Sequence, residues 1–215
     1  SEELIASMVK QLAAVSPSKE LVPIVLAQLT AENERVRQHA QRAVHHLSAL
    51  KSVNSIDLDR LFELMSAEEA RFKPDDARLF IGLHSLGIGL GDKTKLAADP
   101  IRKGHLYLAM LVAEVMINPT TFELVPGIDG QQWFAAMRFI GKHSRQNWEA
   151  LRVALDTLAK TATPANLSVI IYCQAGLMRG VRDSHFPESE FSITFEPAYL
   201  SHEYELVRRA AVALA

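Results

Sequence analysis

Apolar side chains recur every three or four positions along nearly the whole chain, the period of helices that bury one face. Residues 1–15 carry Leu4, Ile5, Met8, Leu12 and Val15 at that spacing, and Ser16-Pro17 supplies a cap followed by a first-turn proline. Residues 19–30 give a second stripe of Leu21, Val22, Val25, Leu26 and Leu29. Asn33 caps a third helix with Val36, Ala40, Ala43, Val44, Leu47 and Leu50 inward and Arg35, Gln38, Arg42 and His45 outward. Asp57 caps a fourth, with Leu58, Leu61, Phe62 and Met65 inward.

Beyond Lys73-Pro74-Asp75, the run Leu79, Phe80, Leu83, Leu86 predicts a helix that weakens through Gly87, Gly89 and Gly91. Pro100 opens a helix to about Ile117 that is apolar on most sides, so burial between neighbours is expected; Asn118-Pro119 stops it. Residues 131–140 align Trp133, Phe134, Met137 and Ile140, with Gly141 expected just past the helix end. Trp148, Leu151, Leu155 and Leu158 make the next stripe, and Leu167, Ile170, Ile171 and Leu177 another. Only 186–197 departs, because Phe191, Ile193 and Phe195 alternate as in an extended stretch. A last helix is expected over about 199–215 along Leu200, Tyr204, Val207, Ala211 and Leu214.

Helices joined by short breaks, with no alternation of strand and helix, predict an all-α protein. Antiparallel helix pairs favour an α-solenoid, a right-handed superhelix, over a closed bundle. The whole of 1–215 reads as one continuous helical-repeat array. Its last helix runs out on Val212-Ala213-Leu214-Ala215 without a cap or polar face, which suggests the N-terminal fragment of a longer chain.

Composition narrows the functional classes. The 215 residues hold 23 Lys+Arg against 25 Asp+Glu, a net charge of −2, which argues against a binder that lives on phosphate contacts. Hydrophobic residues at 48% and charged residues at 22% exclude a disordered chain. A single cysteine, Cys173, excludes an internal disulfide framework and favours a reducing compartment. No apolar run approaches the ~20 residues that cross a bilayer, so membrane insertion is not expected.

The sharpest local pattern spans residues 20–47. An early proline, Pro23, interrupts the backbone donors of the first helix, and Val36-Arg37 opens the second with Ala40 one turn on, where helices approach closely. This resembles a HEAT repeat. The acidic residue usual between the helices would fall at Ala31, with Glu32 next door, so the usual carboxylate-to-arginine ladder is not expected. Val207-Arg208 with Ala211 repeats the spacing near the C-terminus.

Taken further, the chain resembles a divergent member of the large HEAT-repeat proteasome adaptor and scaffold family, the Ecm family, in its N-terminal region. Leu21-Val22-Pro23, Val36-Arg37, His45-His46-Leu47 and Ile56-Asp57-Leu58 carry the first block, with Asp59 where the family often has proline. Pro126-Gly127 and the helix Trp133-Phe134-Ala135-Ala136-Met137-Arg138-Phe139-Ile140-Gly141 carry the second. The two blocks cover about a third of the chain at best. The resemblance implies a non-enzymatic scaffold that binds proteasome subunits, bridges or regulates assembly of core and regulatory particles, and works in the cytoplasm, with the nucleus left open. A HEAT-type nuclear-transport or trafficking scaffold, or a helical enzyme, are the alternatives.

Motifs for chemistry are sparse. Gly87-Ile88-Gly89-Leu90-Gly91-Asp92-Lys93-Thr94 approaches a phosphate loop, but Asp92 stands where glycine must precede the Lys-Thr pair and puts negative charge where phosphate would bind. An inter-helix loop is the better reading. His39, His45 and His46 lack the spacing of zinc ligands, and exposed imidazoles on a helix face explain them. His84-Ser85 and Ser184-His185 are sequence neighbours without a nucleophile elbow. Cys173 reads as a buried small hydrophobe; Glu68-Glu69 and Asp75-Asp76 fit helix termini and solvated faces. Trp133 and Trp148 read as core, unless exposure marks a partner contact. Arg35, Arg37, Arg42 and Lys51, and Arg208-Arg209, read as solvated basic faces. No catalytic, cofactor or metal residue is therefore assigned.

Overall fold

The computed structural model describes residues 4, 7, 8, 11, 19–47, 57–66, 72–89, 100–119, 122–185 and 196–214. Among them there is no strand, and the elements are α1 (Leu21–Gln28), α2 (Glu34–Leu47), α3 (Leu58–Ser66), α4 (Pro74–Ser85), α5 (Pro100–Ile117), α6 (Gly130–His143), α7 (Trp148–Ala159), α8 (Pro164–Arg182) and α9 (Glu205–Leu214). Short 3₁₀ turns occupy Arg145–Asn147 and Pro197–Ser201. The chain forms two compact units, Ser1–Ala113 and Glu114–Ala215, with the boundary inside α5. The expected helix at 1–15 is described only at Leu4, Ser7, Met8 and Gln11, all four helical; Leu4 and Met8 are exposed there, not on a buried stripe. The alternating residues Phe191, Ile193 and Phe195 lie outside the described residues, as do Leu50 and Gly91.

The helix starts follow local chemistry. Asn33 Oδ1 accepts from the backbone N–H groups of Arg35 and Val36 (2.9 and 3.3 Å), and Asp57 Oδ1 accepts from that of Arg60 (2.9 Å). Asp129 and Gln132 form a reciprocal capping box at α6, and Thr163 caps α8 ahead of Pro164. Each such cap contributes ~1 kcal/mol by supplying a partner to a helix-end N–H. α4 stops sharply where the sequence suggests gradual weakening. Gly87, at φ +84°, donates to His84 and Ile88 donates to Leu83, satisfying the last carbonyls, while Ile88 is buried.

In the first unit α2 packs on α4. Arg42 meets Asp75, and Gly82 meets Val44 and His45, so the partners advance together and the two helices run parallel. Phe62 of α3 lies against Phe80 of α4, ring centroids 5.8 Å apart. Val36, Ala40, Ala43, Val44 and Leu47 are all buried, as their spacing requires.

The second unit repeats that relation more tightly. Gly130 abuts Tyr172, the Phe134 carbonyl abuts Gly176, and the Arg138 carbonyl abuts Gly180, so α6 and α8 also run parallel at a constant offset. Gly141 is not past the helix end: α6 continues through it to His143. Its missing side chain admits the Leu177 carbonyl, and its own carbonyl accepts from Trp148 Nε1 at 2.8 Å. The buried Asn147 Nδ2 donates to Val115 O and Ser144 Oγ (3.0 and 2.9 Å), tying the α6–α7 corner to α5. Leu167, Ile171 and Ala175 of α8 pack with Val207 and Ala210 of α9. α9 begins later than expected. Leu200 and Tyr204 precede it and are exposed, because Pro197–Ser201 forms a 3₁₀ turn; Val207, Ala210 and Ala211 are buried, and the side chain of Leu214 lies outside the described residues.

The two Val-Arg-x-x-Ala sites share one hydrogen-bond pattern. Arg37 Nη1 donates to the carbonyls of Ala31 and Glu32, both at 2.7 Å. Arg208 Nη1 donates to those of His202 and Glu203 at 2.5 and 2.8 Å. In each case the guanidinium closes the turn before its own helix. Arg37→Ala removes two charge-assisted bonds and should cost about 2 kcal/mol; urea denaturation followed by circular dichroism reads this as a lower midpoint at unchanged slope.

Candidate functional site

Gln38, Gln41 and Arg42 project from one face of α2 toward the start of α4, where Phe72, Lys73, Pro74, Asp75 and Asp76 complete a pocket of about 350 Å³. α2 positions its three residues by the i, i+3, i+4 rule. Pro74 sets the other wall by fixing the first turn of α4 after the extended residue Lys73. Asp75 and Asp76 occupy that first turn, as helix termini favour, but Asp76 is buried and not on a solvated face. Arg42 Nε approaches Asp75 Oδ2 at 3.7 Å, and Asp75 also receives Arg78 at 3.4 Å. Gln38 Nε2 donates to Glu34 Oε1 at 2.7 Å.

Gln41 is the lining residue of α2 that packs inward. It is buried as a residue, as Phe72 and Asp76 are. The periodicity places it on the margin of the apolar stripe, between Ala40 and Arg42, where sequence gives no reason to single it out.

His45 lies near the same α2–α4 contact. Partial burial, then the positive charges of Arg78 and His46, push its pKa below 6.5, while Asp75 opposes them. The depressed folded value means that the unfolded chain takes up its proton first as pH falls. Stability from this group is therefore present above 6.5 and lost below it, on the way down through the folded pKa. Proton NMR titration should place the His45 midpoint below 6.5, and Arg78→Ala should raise it.

The other sequence candidates fall into place one by one. Trp133 and Trp148 are buried, so the core reading holds. Cys173 is fully buried and its thiol pKa is pushed up by burial, the opposite of a thiolate environment. Ser85 Oγ donates to Ile81 O and Ser184 Oγ to Val181 O, each turned back onto its own helix. Among the described residues no three His, Cys, Asp or Glu side chains converge as metal ligands. No described helix is long and apolar enough to cross a membrane. Arg37 is buried and Arg208 half-buried, both engaged in closing turns, which corrects the solvated-face reading for these two. Arg42 and Arg209 remain exposed. The residues Asp92-Lys93-Thr94, Glu68-Glu69 and Lys51 lie outside the described residues.

Compared with known proteins, the chain matches no family model, no curated protein and no solved structure.

Proposed function

We propose that this chain is a non-enzymatic adaptor or scaffold, a HEAT-like α-solenoid segment that binds the proteasome and bridges or regulates assembly of its core and regulatory particles. The observation that carries the scaffold reading is the shared turn closure at Arg37 and Arg208, set in units where α2 and α4, and α6 and α8, run parallel. Stacked helix pairs bring equivalent helices together in parallel, and each repeat then contacts its neighbours alone. Such an array does no bond chemistry. It presents extended surface on which weak contacts sum. The proteasome as partner rests on the two sequence blocks that resemble the Ecm family. Affinity purification of the tagged chain, read by quantitative mass spectrometry, tests this partner: proteasome subunits should be enriched over a tag-only control.

The non-enzymatic part has its own test at Lys93-Thr94. Titrating ATP with magnesium should leave the melting temperature flat, whereas a ligand at a hundred times its Kd would stabilise by ~2.7 kcal/mol. A saturable shift that Lys93→Ala abolishes would overturn the scaffold-only reading.

A further inference from the structure

We propose that the last turns of α6 and α8 form a docking surface for an acidic, extended segment of a partner protein, whose carboxylates pair with Arg138, Lys142, Arg179 and Arg182. The inference rests on the reading that this chain acts by binding proteins, and it names the chemistry of one contact.

Three observations converge on that occupant. The first is how the cations are gathered. α6 and α8 run parallel and meet through backbone at Gly141 and Gly180, so their last turns lie side by side. Arg138 and Lys142 stand one turn apart on α6, Arg179 and Arg182 one turn apart on α8, and all four are exposed. The second is that a carboxylate already sits among them. Asp183, just past α8, accepts from Arg138 Nε at 2.7 Å and lies 3.5 Å from Arg179 Nε. The Arg138 hydrogen bond, with the charges of Arg138, Arg179 and Lys142 behind it, holds the Asp183 carboxyl below its ordinary range against the effect of desolvation. Two helices thus converge on a carboxylate, the group a charge-assisted bond to guanidinium suits best. The third is surplus. Among the described residues Lys142 has no ion pair, and Arg182 reaches only the Met178 sulfur, at 3.9 Å. One cation at each helix end would complement the dipole; four on one face, in a chain of net charge −2, leave positive charge for a partner to meet. Spacing favours an extended segment. Its side chains at i and i+2 share one side about 6.6 Å apart, close to the ~5–6 Å between helix positions one turn apart. Phe139, the one Phe, Tyr or Trp of these two turns, is buried and offers no face for stacking a base, so the surface suits acidic protein over nucleic acid.

The test titrates the full chain into a fluorescent dodecapeptide of alternating Glu and Ser at low salt, read by anisotropy. The peptide should bind saturably. Lys142→Glu with Arg182→Glu should weaken it at least tenfold and move the melting temperature little, since neither side chain holds a carboxylate in the fold. Arg35→Glu with Arg209→Glu changes the net charge equally at exposed positions elsewhere and should leave the affinity within about twofold. Lys142→Gln with Arg182→Gln serves if the glutamate pair fails to fold, and should weaken the same peptide severalfold. Absence of saturable binding, equal weakening by the two glutamate pairs, or tighter binding of an oligothymidylate of the same length through Lys142 and Arg182 would overturn the proposal. Peptide binding without proteasome capture would overturn the proteasome reading alone; capture without peptide binding that depends on Lys142 and Arg182 would overturn this inference alone.

Discussion

Gly180→Ala is expected to destabilise the second unit by about 3 kcal/mol, against the direction of helix propensity. In an exposed helix interior the same change stabilises by ~1 kcal/mol, because alanine loses less backbone entropy than glycine. Here the added Cβ would sit 2.2 Å from the Arg138 carbonyl oxygen and 2.9 Å from the Gly141 Cα. Both obstacles are backbone, so no rotamer change relieves them and α6 and α8 must separate. Overpacking of a close-packed interior costs ~1–3 kcal/mol and sometimes more, and the lack of a flexible neighbour puts this site at the upper end. Gly176→Ala meets the Phe134 carbonyl at 2.3 Å and should behave alike. Gly89, with nothing within 4 Å of an added Cβ, is the control, and Gly89→Ala should be nearly neutral. Urea denaturation of the three variants decides it; a neutral or stabilised Gly180→Ala would mean that the parallel α6–α8 contact is wrong.

The second large effect is expected at Ala40. Its side chain is fully buried in α2, one turn after the turn-closing Arg37. Ala40→Arg forces a long side chain into filled space and a charge away from water, at a cost of about 4 kcal/mol or more. Two residues on, Arg42 is 61% exposed and meets Asp75, 49% exposed, at 3.7 Å. Such a pair contributes ~0–1 kcal/mol, so Arg42→Ala should move the midpoint little. Thermal melts of the two variants separate the faces of α2: equal, small effects would mean that its buried face is assigned wrongly.

Much of this architecture is readable from local pattern. The stripe from Val36 to Leu47 and the caps Asn33 and Asp57 depend on neighbours within one or two turns, so sequence carries them directly. So does the burial of α5, where Leu106, Leu108 through Ala113 and Val115 are covered on several sides. What local pattern cannot carry is an interaction whose partner is backbone. Arg37 and Arg208 bond carbonyls, which every residue has, so the shared Val-Arg-x-x-Ala spacing marks the two sites without naming their partners. Gly176 and Gly180 matter because another helix's carbonyls arrive there; a small residue at each fourth position of an apolar helix is the only sequence trace. Leu200 and Tyr204 fit the helical period by number, yet Pro197 and the 3₁₀ turn set the start of α9 beyond them. The candidate site shows the same limit. Gln41 is legible as a helical residue at the edge of a stripe, but the lining from Phe72 to Asp76 reaches it across a long separation in sequence.

The account's central claim, that this chain is a binding scaffold for the proteasome, is tested most directly with purified components. The labelled chain, mixed with purified proteasomes, is sedimented through a glycerol gradient and the fractions are read for label and for peptidase activity. The account predicts that label co-migrates with the proteasome peak and that excess unlabelled chain displaces it. Label remaining at the top of the gradient, at every proteasome concentration and with the peak intact, would contradict it.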